Sequence, residues 1–146
     1  MLVKEIMTRQ VELVEPSLSL KEAADRMKTK NIGALPVGEN DRLVGMLTDR
    51  DIAIRGVANG MDANQTKVRD CMTSEINYCY EDQTLEEAGK LMMVKKIRRL
   101  PVLNKNKKLV GICSLDDVAA RSENSKLAGE VLKELSVKGS RPLLAV

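Results

Sequence analysis

The chain has 146 residues, and its 43% hydrophobic content is enough to bury a core in one compact domain or in two small fused units. It contains no histidine, which excludes catalytic triads, cysteine–histidine pairs and histidine-ligated metal sites. Its 24 basic and 21 acidic residues give a net charge of +3, far from the strongly basic character of a dedicated nucleic-acid binder. We therefore expect a protein that is not an enzyme and has no catalytic residue.

The few aromatic and cysteine residues exclude further kinds of site. Tyr78 and Tyr80 are the only aromatic residues, so the chain has no platform for stacking nucleic-acid bases. Cys71, Cys79 and Cys113 lie in or beside apolar stretches without CxxC spacing, which indicates neither a zinc site nor a disulfide framework. We expect reduced, buried thiols and no metal site.

The sequence shows no signal for export or membrane insertion. The N-terminal residues contain no apolar stretch of the kind found in signal peptides, and no segment approaches the length of a transmembrane helix. We therefore expect a cytoplasmic protein without a membrane partner.

The chain contains an internal repeat. Residues 3–8, Val-Lys-Glu-Ile-Met-Thr, return as residues 68–73, Val-Arg-Asp-Cys-Met-Thr. Leu-Pro-Val at 35–37 returns in the same register at 100–102, and a one-residue insertion follows that point in the second copy. Two copies are too few for a solenoid and indicate a duplicated unit.

Each copy predicts the element order β-α-β-β-α. In the first copy, short apolar runs predict strands over 11–14, 33–37 and 43–47, and the second of these strands joins the third through a tight turn. Apolar residues at helical spacing predict helices over 20–29 and 51–58. The expected fold class is therefore α+β, a mixed α/β fold.

Domain boundaries follow from the repeat. We expect one unit over 1–60, a polar, glycine-containing linker over 61–67, a second unit over 68–123, and a C-terminal helix and tail over 124–146.

The C-terminal segment predicts an amphipathic helix that begins near Ser125 and ends at Gly139 and Pro142. The apolar tail over 143–146 either docks on the core or on a second subunit, or is frayed. The helix face that we expect to be buried consists of Leu127, Val131, Leu132 and Leu135.

In each copy a strand ends on a hydroxyl residue, and a carboxylate follows three residues later, where a helix begins. These pairs are Thr48 with Asp51 and Ser114 with Asp117. An ionised aspartate can accept hydrogen bonds from both vicinal hydroxyls of a ribose, and the hydroxyl residue can donate one to ribose or phosphate. The same spacing fits a helix capping box, which needs no ligand. The residues by themselves leave both interpretations open.

Both copies share an order of motifs: a Met-Thr opening, a Leu-Pro-Val strand, a Leu-Val-Gly strand that ends on a hydroxyl, and an aspartate at the next helix start. In this order the sequence resembles a pair of cystathionine-β-synthase (CBS) domains over residues 3–121. The resemblance implies that the two units pack as a pseudo-twofold disc with ligand clefts between them. It also implies a regulatory module that binds AMP, ADP, ATP or S-adenosylmethionine and senses energy or metabolite state, without catalysis and without a required cofactor.

The resemblance further implies that the ligand clefts are crossed between the copies. One cleft would combine Ser114 and Asp117 with Thr8, Ile32, Gly33 and Ala34. The other cleft would combine Thr48 and Asp51 with Thr73, Ile97, Arg98 and Arg99. In both clefts the resemblance places the adenine between aliphatic side chains, which suits a chain that is almost free of aromatic residues.

The two copies differ where the first has Gly33-Ala34 and the second has Arg98-Arg99. A guanidinium can bind a phosphate with two hydrogen bonds, so these arginines could select a phosphorylated ligand. Their bulk could equally block the cleft. They belong to a basic run over 95–108 that contains no acidic residue.

Three classes of function remain open, and the adenosyl-ligand sensor is the leading expectation. The alternatives are a nucleic-acid or polyanion binder that uses the basic run over 95–108, for which steep salt dependence is expected, and a ligand-free dimerisation scaffold. In each case the resemblance implies a homodimer. Because no effector domain is visible, an effector protein is the further partner that we expect.

Overall fold

The computed structural model describes residues 1–40 and 42–137, and the chain divides into two compact units. The inner unit is Glu12–Ile76, and the outer unit combines Met1–Val11 with Asn77–Val146. Each unit has its own hydrophobic core. The units do not coincide with the sequence repeats, because the N-terminal segment of each repeat lies in the same unit as the other repeat.

The inner unit is built on a two-stranded antiparallel hairpin. Its main elements are α1 (Leu20–Lys30), β1 (Ala34–Glu39), β2 (Arg42–Thr48), α2 (Asp49–Asp51) and a π-helix (Ile52–Val57). The strands predicted over 33–37 and 43–47 are confirmed as β1 and β2. A short 3₁₀-helix, Val68–Asp70, lies near the end of the unit.

The local sequence explains the limits of α1. The Ser19 hydroxyl accepts a hydrogen bond from the Glu22 N–H at 3.1 Å and caps the start of the helix. Asn31 ends the helix in the left-handed conformation, with φ at 52°. The helix predicted over 20–29 is thus confirmed and is one residue longer. Its buried residues are Leu20, Ala23 and Met27.

The outer unit is built on a three-stranded sheet. Its main elements are a 3₁₀-helix (Val3–Glu5), β3 (Cys79–Tyr80), α3 (Leu85–Lys95), β4 (Arg99–Leu103), β5 (Leu109–Ser114), α4 (Leu115–Arg121) and α5 (Ser125–Ser136). The sheet order is β3-β4-β5, in which β3 runs parallel to β4 and β5 runs antiparallel to it. The predicted class, a mixed α/β fold, is confirmed. Among the helices of residues 1–40 and 42–137, none has the length and apolar character needed to cross a membrane.

The strand predicted over 11–14 is wrong. Only Val14 pairs, as an isolated parallel bridge with Val37. Its N–H donates to the Pro36 carbonyl at 3.0 Å. The chain then turns at Pro16, which has no N–H to continue a ladder, so the pairing ends after one residue.

The helix predicted over 51–58 begins two residues earlier, at Asp49. The Thr48 hydroxyl caps this start, so the residue after β2 is already helical. After one turn the segment widens into the π-helix, in which the Ala58 N–H donates to the Ala53 carbonyl at 2.9 Å. The prediction of a regular α-helix is therefore wrong in its start and in its type.

The predicted C-terminal helix is confirmed as α5, which Asn124 caps by accepting a hydrogen bond from the Leu127 N–H at 3.0 Å. Val131 and Leu135 are buried with Leu127, whereas Leu132 is 49% exposed. Leu132 was expected in the buried face. Leu132 directly follows Val131, and adjacent residues of an α-helix point about 100° apart, which turns its side chain away from the buried face.

Some predictions about organisation stay predictions. The helix end at Gly139 and Pro142 and the tail over 143–146 lie outside the described residues. The structure describes each unit by itself, so the packing of the units as a disc is not tested. The same holds for the sequence-based domain boundaries 1–60, 61–67, 68–123 and 124–146.

The packing of α5 on α3 predicts opposite effects for two glycine substitutions. A Cβ added at Gly89 in α3 would lie 2.9 Å from Cδ1 of Leu127, which is buried and has little room to move. A Cβ added at Gly129 in α5 meets no heavy atom of the described residues within 4 Å. We expect Gly129→Ala to raise the free energy of unfolding by about 0.5–1 kcal/mol through helix propensity, and Gly89→Ala to lower it. Urea unfolding measures both changes, and equal gains would contradict a tight contact between the helices.

Candidate functional site

In the inner unit, a hydroxyl and a carboxylate form a reciprocal pair where β2 passes into α2. The Thr48 hydroxyl accepts a hydrogen bond from the Asp51 N–H at 3.0 Å, and the Asp51 carboxylate accepts one from the Thr48 N–H at 3.0 Å. This pair is a capping box. Both residues are buried: Thr48 is 0% exposed and Asp51 is 2% exposed. We call this pair the inner corner.

The outer unit repeats the arrangement where β5 passes into α4. The Ser114 hydroxyl accepts a hydrogen bond from the Asp117 N–H at 3.0 Å, and the Asp117 carboxylate accepts one from the Ser114 N–H at 3.0 Å. Asp117 is 9% exposed, and Ser114 is half-buried. We call this pair the outer corner. The capping interpretation is therefore correct for both corners, and ligand binding by the same residues stays a prediction.

A further hydroxyl lies at the outer corner. Thr8 pairs with Ile112 of β5 through two backbone hydrogen bonds of 2.9 Å. Its side-chain hydroxyl donates to Asp117 Oδ1 at 3.4 Å. The N-terminal segment of the first repeat thus brings an exposed hydroxyl to the carboxylate of the second repeat.

Thr73 has the equivalent backbone position in the inner unit. It pairs with Met46 of β2 through backbone hydrogen bonds of 2.8 and 3.0 Å. Within the described residues of this unit, the Thr73 hydroxyl forms no hydrogen bond with Asp51. The two corners therefore differ in their surroundings although they share a motif.

An arginine one helical turn after Asp117 holds the N-terminal segment at the outer corner. Nη1 of Arg121 donates to the carbonyls of Ile6 and Met7 at 3.4 and 3.5 Å. Nε of the same side chain lies 3.8 Å from Asp117 Oδ1. Arg121 thus joins the backbone that precedes Thr8 to the carboxylate that Thr8 contacts.

Arg55 makes the equivalent backbone contacts in the inner unit. Its Nη1 donates to the carbonyls of Cys71 and Met72 at 3.3 and 3.0 Å. Arg55 and Arg121 were not among the predicted site residues. The repeat carried the signal, since the two arginines follow equivalent aspartates at the same spacing.

Burial dominates the electrostatics of the inner corner. It raises the pKa of Asp51 above its ordinary value of 3.8. The hydrogen bonds from Thr48 and the positive charges of Arg55 and Arg50 act in the opposite direction but do not offset the burial. The Asp51 carboxylate is therefore a charged group that the protein has largely removed from water.

Arg98 takes the backbone position that Gly33 has in the inner unit. The Arg98 carbonyl accepts a hydrogen bond from the Leu115 N–H at 2.9 Å, and the Gly33 carbonyl accepts one from the Asp49 N–H at 2.9 Å. A Cβ at Gly33 would lie 2.9 Å from Oδ2 of Asp49, an exposed side chain that can turn away. Arg98 is half-buried.

Arg99 and Ala34 are likewise equivalent. Arg99 pairs with Ser114 across the outer sheet, and Ala34 pairs with Thr48 across the inner hairpin. Ala34 is buried, whereas Arg99 is half-buried. Within the described residues of the outer unit, the Arg99 guanidinium forms no hydrogen bond or ion pair.

The predicted site residues are divided between the units. The outer unit contains Thr8, Ile97, Arg98, Arg99, Ser114 and Asp117, and the inner unit contains Ile32, Gly33, Ala34, Thr48, Asp51 and Thr73. The structure thus brings Thr8 to the outer corner, as expected. The crossed clefts, which combine residues of both units, stay a prediction.

Within residues 1–40 and 42–137, no three His, Cys, Asp or Glu side chains come together as a metal-binding group. Cys71, Cys79 and Cys113 are buried and unpaired, as predicted. Burial raises the pKa of Cys79 and that of Cys113 to about 12, so these thiols stay protonated.

Comparison with known proteins identifies the family. The CBS domain model matches residues 3–56 and 68–124. The chain belongs to the CBS domain family. The CBS domain-containing protein YhcV of Bacillus subtilis strain 168 is 45% identical over 134 residues, which cover 92% of this chain and 94% of that protein.

Solved structures of CBS proteins have a similar fold. Hypoxic Response Protein I with two coordinated zinc ions is 37% identical, with a TM-score of 0.75, over 83% of this chain and 98% of that one. CBSX2 in complex with AMP is 30% identical, with a TM-score of 0.70, over 86% and 98%. The CBS domain pair of protein MJ0100, in complex with 5-methylthioadenosine and S-adenosyl-L-methionine, is 27% identical, with a TM-score of 0.74, over 89% and 97%.

The raised pKa of Asp51 predicts a pH-dependent contribution to stability. The folded protein retains the Asp51 proton above pH 3.8, where the unfolded chain has released it. We compare the free energies of unfolding of the native protein and of Asp51→Asn. The native value minus the variant value should be highest at acidic pH and should fall as pH rises from about 4 towards neutrality. Asparagine keeps the oxygen that accepts the Thr48 N–H. Urea unfolding of both proteins across this range measures the difference.

Asp49→Asn is the matched control for this experiment, because it removes the same charge from the same helical turn at an exposed position. We expect no comparable decline for that variant. If the free energy of unfolding of the native protein instead rose with pH relative to that of Asp51→Asn, the burial argument would be wrong.

Proposed function

We propose that this protein is a regulatory module that binds an adenosyl ligand and responds to energy or metabolite state without catalysing a reaction. The ligand is AMP, ADP, ATP or S-adenosylmethionine. The observation that carries the proposal is the repeated hydroxyl–carboxylate corner in a chain similar to proteins solved with AMP and with S-adenosyl-L-methionine. The proposed ligand-binding residues are Thr8, Ile32, Gly33, Ala34, Thr48, Asp51, Thr73, Ile97, Arg98, Arg99, Ser114 and Asp117.

The capping geometry supports ribose binding rather than competing with it. A carboxylate has about four lone-pair sites. The hydrogen bond from the Ser114 N–H uses one site of Asp117, and the long contact from Thr8 uses another. Vicinal ribose hydroxyls can donate to the remaining sites without breaking the cap. One aspartate can thus hold the start of its helix and a ligand together.

Aliphatic side chains would supply the surface for the adenine. Ile32 is 41% exposed, so its side chain is available to contact a ligand. Ile97, its equivalent in the second repeat, is half-buried. Burying these side chains against a purine would contribute to affinity through the hydrophobic effect.

A module without catalysis must act through differential affinity. A ligand changes the population of two states only to the extent that it binds one of them more tightly. We propose that these states belong to a homodimer and that an effector protein distinguishes them. The output would then pass through the contact between this dimer and the effector protein.

The basic run supports one alternative, binding of a nucleic acid or another polyanion. Lys105, Lys107 and Lys108 are exposed in the turn between β4 and β5. Lys96 is less available, because it forms an ion pair with Glu134 of α5. Binding through exposed lysines would depend steeply on salt.

The test is isothermal titration of the protein with AMP, ADP, ATP, S-adenosylmethionine and GMP at low and high salt. We expect saturable binding of at least one adenosyl compound, with little change between the two salt concentrations. In the double variant Asp51→Asn/Asp117→Asn, the affinity should fall by at least about tenfold, because hydrogen bonds to charged groups are lost.

The matched control is Asp49→Asn/Asp116→Asn, which removes two exposed carboxylates from the same two helical turns. We expect its affinity to equal that of the native protein. A loss of the same size in both double variants would indicate a general charge effect. Binding of single-stranded nucleic acid that disappears at high salt, with no adenosyl binding, would favour the polyanion alternative.

A further inference from the structure

We propose that Asn59 is a site of spontaneous deamidation, which converts the turn after the π-helix into an aspartyl or isoaspartyl form. The reaction consumes water and needs no second protein. Asn59 belongs to neither the inner nor the outer corner, so this modification is independent of the proposed ligand binding.

The reaction begins within the chain. The backbone nitrogen of Gly60 attacks Cγ of Asn59, the Cγ–Nδ2 bond breaks, and Nδ2 leaves as ammonia with the amide proton of Gly60. Water then opens the cyclic imide at one of its two carbonyls. Cleavage of the bond between nitrogen and Cγ gives aspartate. Cleavage of the bond to the backbone carbonyl gives isoaspartate, in which the main chain runs through Cγ.

The residue after an asparagine decides how easily this ring closes. The attacking nitrogen must come within bonding distance of Cγ, and glycine carries no Cβ to obstruct that approach. Asn59 is the only asparagine of the chain that a glycine follows. Asn31 and Asn106 are also exposed, but Ile32 and Lys107 follow them, and both have side chains.

The surroundings of the Asn59–Gly60 peptide are open. Both residues are exposed. Gly60 has a φ of 72°, and a Cβ built on it meets no heavy atom of the described residues within 4 Å. A base can therefore reach the Gly60 amide proton, and water can reach the imide. Exposed turns of this kind are where a chain tolerates covalent change.

Two hydrogen bonds restrain the pair. The Gly60 N–H donates to the Val57 carbonyl at 3.0 Å, and Nδ2 of Asn59 donates to the Arg55 carbonyl at 3.0 Å. Both bonds must open before the ring closes. Each joins groups only a few residues apart in an exposed turn, so the turn can open locally while the rest of the unit stays folded. We therefore expect the reaction in the folded protein, at a lower rate than in the unfolded chain.

Asn124 of the second repeat has a more rigid environment. Its Oδ1 accepts a hydrogen bond from the Leu127 N–H at 3.0 Å, and its Nδ2 donates to Glu86 at 3.4 Å. The next residue, Ser125, is the first residue of α5, so the helix fixes the position of its backbone nitrogen. We expect Asn124 to keep its amide while Asn59 reacts.

Deamidation would change the end of the π-helix. A carboxylate at position 59 cannot donate to the Arg55 carbonyl, and it adds a negative charge to a chain with a net charge of +3. Isoaspartate also adds a carbon atom to the main chain before Gly60. The Met61 N–H donates to the Gly56 carbonyl at 3.0 Å across this point. We expect this hydrogen bond to weaken.

The test is incubation of the native protein at neutral and alkaline pH, followed by peptide mapping with mass spectrometry. Deamidation raises the mass of the peptide that contains Asn59, and electron-transfer fragmentation distinguishes aspartate from isoaspartate. We expect Asn59 to react before any other asparagine, and faster at alkaline pH because base removes the Gly60 amide proton.

Gly60→Ala is the matched variant. It should slow the reaction by at least about tenfold, because its Cβ obstructs the attacking nitrogen. Alanine at a φ of 72° also strains the turn, which favours opening, so a slower reaction would reflect the Cβ and not a tighter turn. Equal rates in the native protein and in Gly60→Ala would contradict the assignment.

Hydrogen exchange tests the structural consequence. The deamidated protein is separated from the native protein by ion exchange and compared with Asn59→Asp, which carries the same charge on an unchanged main chain. We expect the Gly60 and Met61 amides to exchange several-fold faster in the isoaspartyl form than in Asn59→Asp. Equal exchange would contradict the expected weakening of the turn.

Two further outcomes would overturn the proposal. If Asn59 kept its amide in the folded protein and reacted only in urea, the turn would protect it fully. If Asn31, Asn106 or Asn124 reacted first in the native protein, the open surroundings of the Asn59–Gly60 peptide would not be what governs deamidation in this chain.

Discussion

The reciprocal hydrogen bonds between a hydroxyl residue and the aspartate three positions later are the constraint on which both units depend. They turn the chain from a hairpin strand into a helix, at Thr48 in the inner unit and at Ser114 in the outer unit. This turn also places an arginine one helical turn later, within reach of backbone carbonyls from a distant segment. Loss of the cap would therefore affect the helix, the arginine and the segment that the arginine holds.

A carboxylate has more acceptor sites than a helix cap requires, so each capping aspartate keeps capacity for further hydrogen bonds. What differs is the surroundings. Asp51 is almost fully buried, and this burial raises its pKa, whereas Asp117 keeps some access to solvent beside an exposed threonine. The two caps therefore share one hydrogen-bond pattern and differ in their surroundings.

Pairing over long sequence distances completes each corner. The hydrogen bond between Thr8 and Asp117 joins residues that are 109 positions apart, and Thr8 reaches the corner through its ladder with Ile112. For this reason the compact units differ from the repeats, since each repeat contributes its first residues to the neighbouring unit. The periodicity of the sequence reveals the repeats but carries no information on this exchange.

Local patterns were sufficient for the hairpins, for α1, α5 and the two corners, because capping hydrogen bonds, tight turns and apolar spacing act within a few residues. They failed at two places. At Leu132 the buried face of α5 is narrower than the pattern indicated, and after Asp51 the chain forms a π-helix, which is wider than the expected α-helix. Only the tertiary structure decided that Asp51 and Asp117 are buried to different degrees, 2% and 9% exposed, and that Arg55 and Arg121 hold distant backbone. Burial and such contacts depend on what packs against a residue from elsewhere in the chain, and neither is encoded in the spacing of its neighbours.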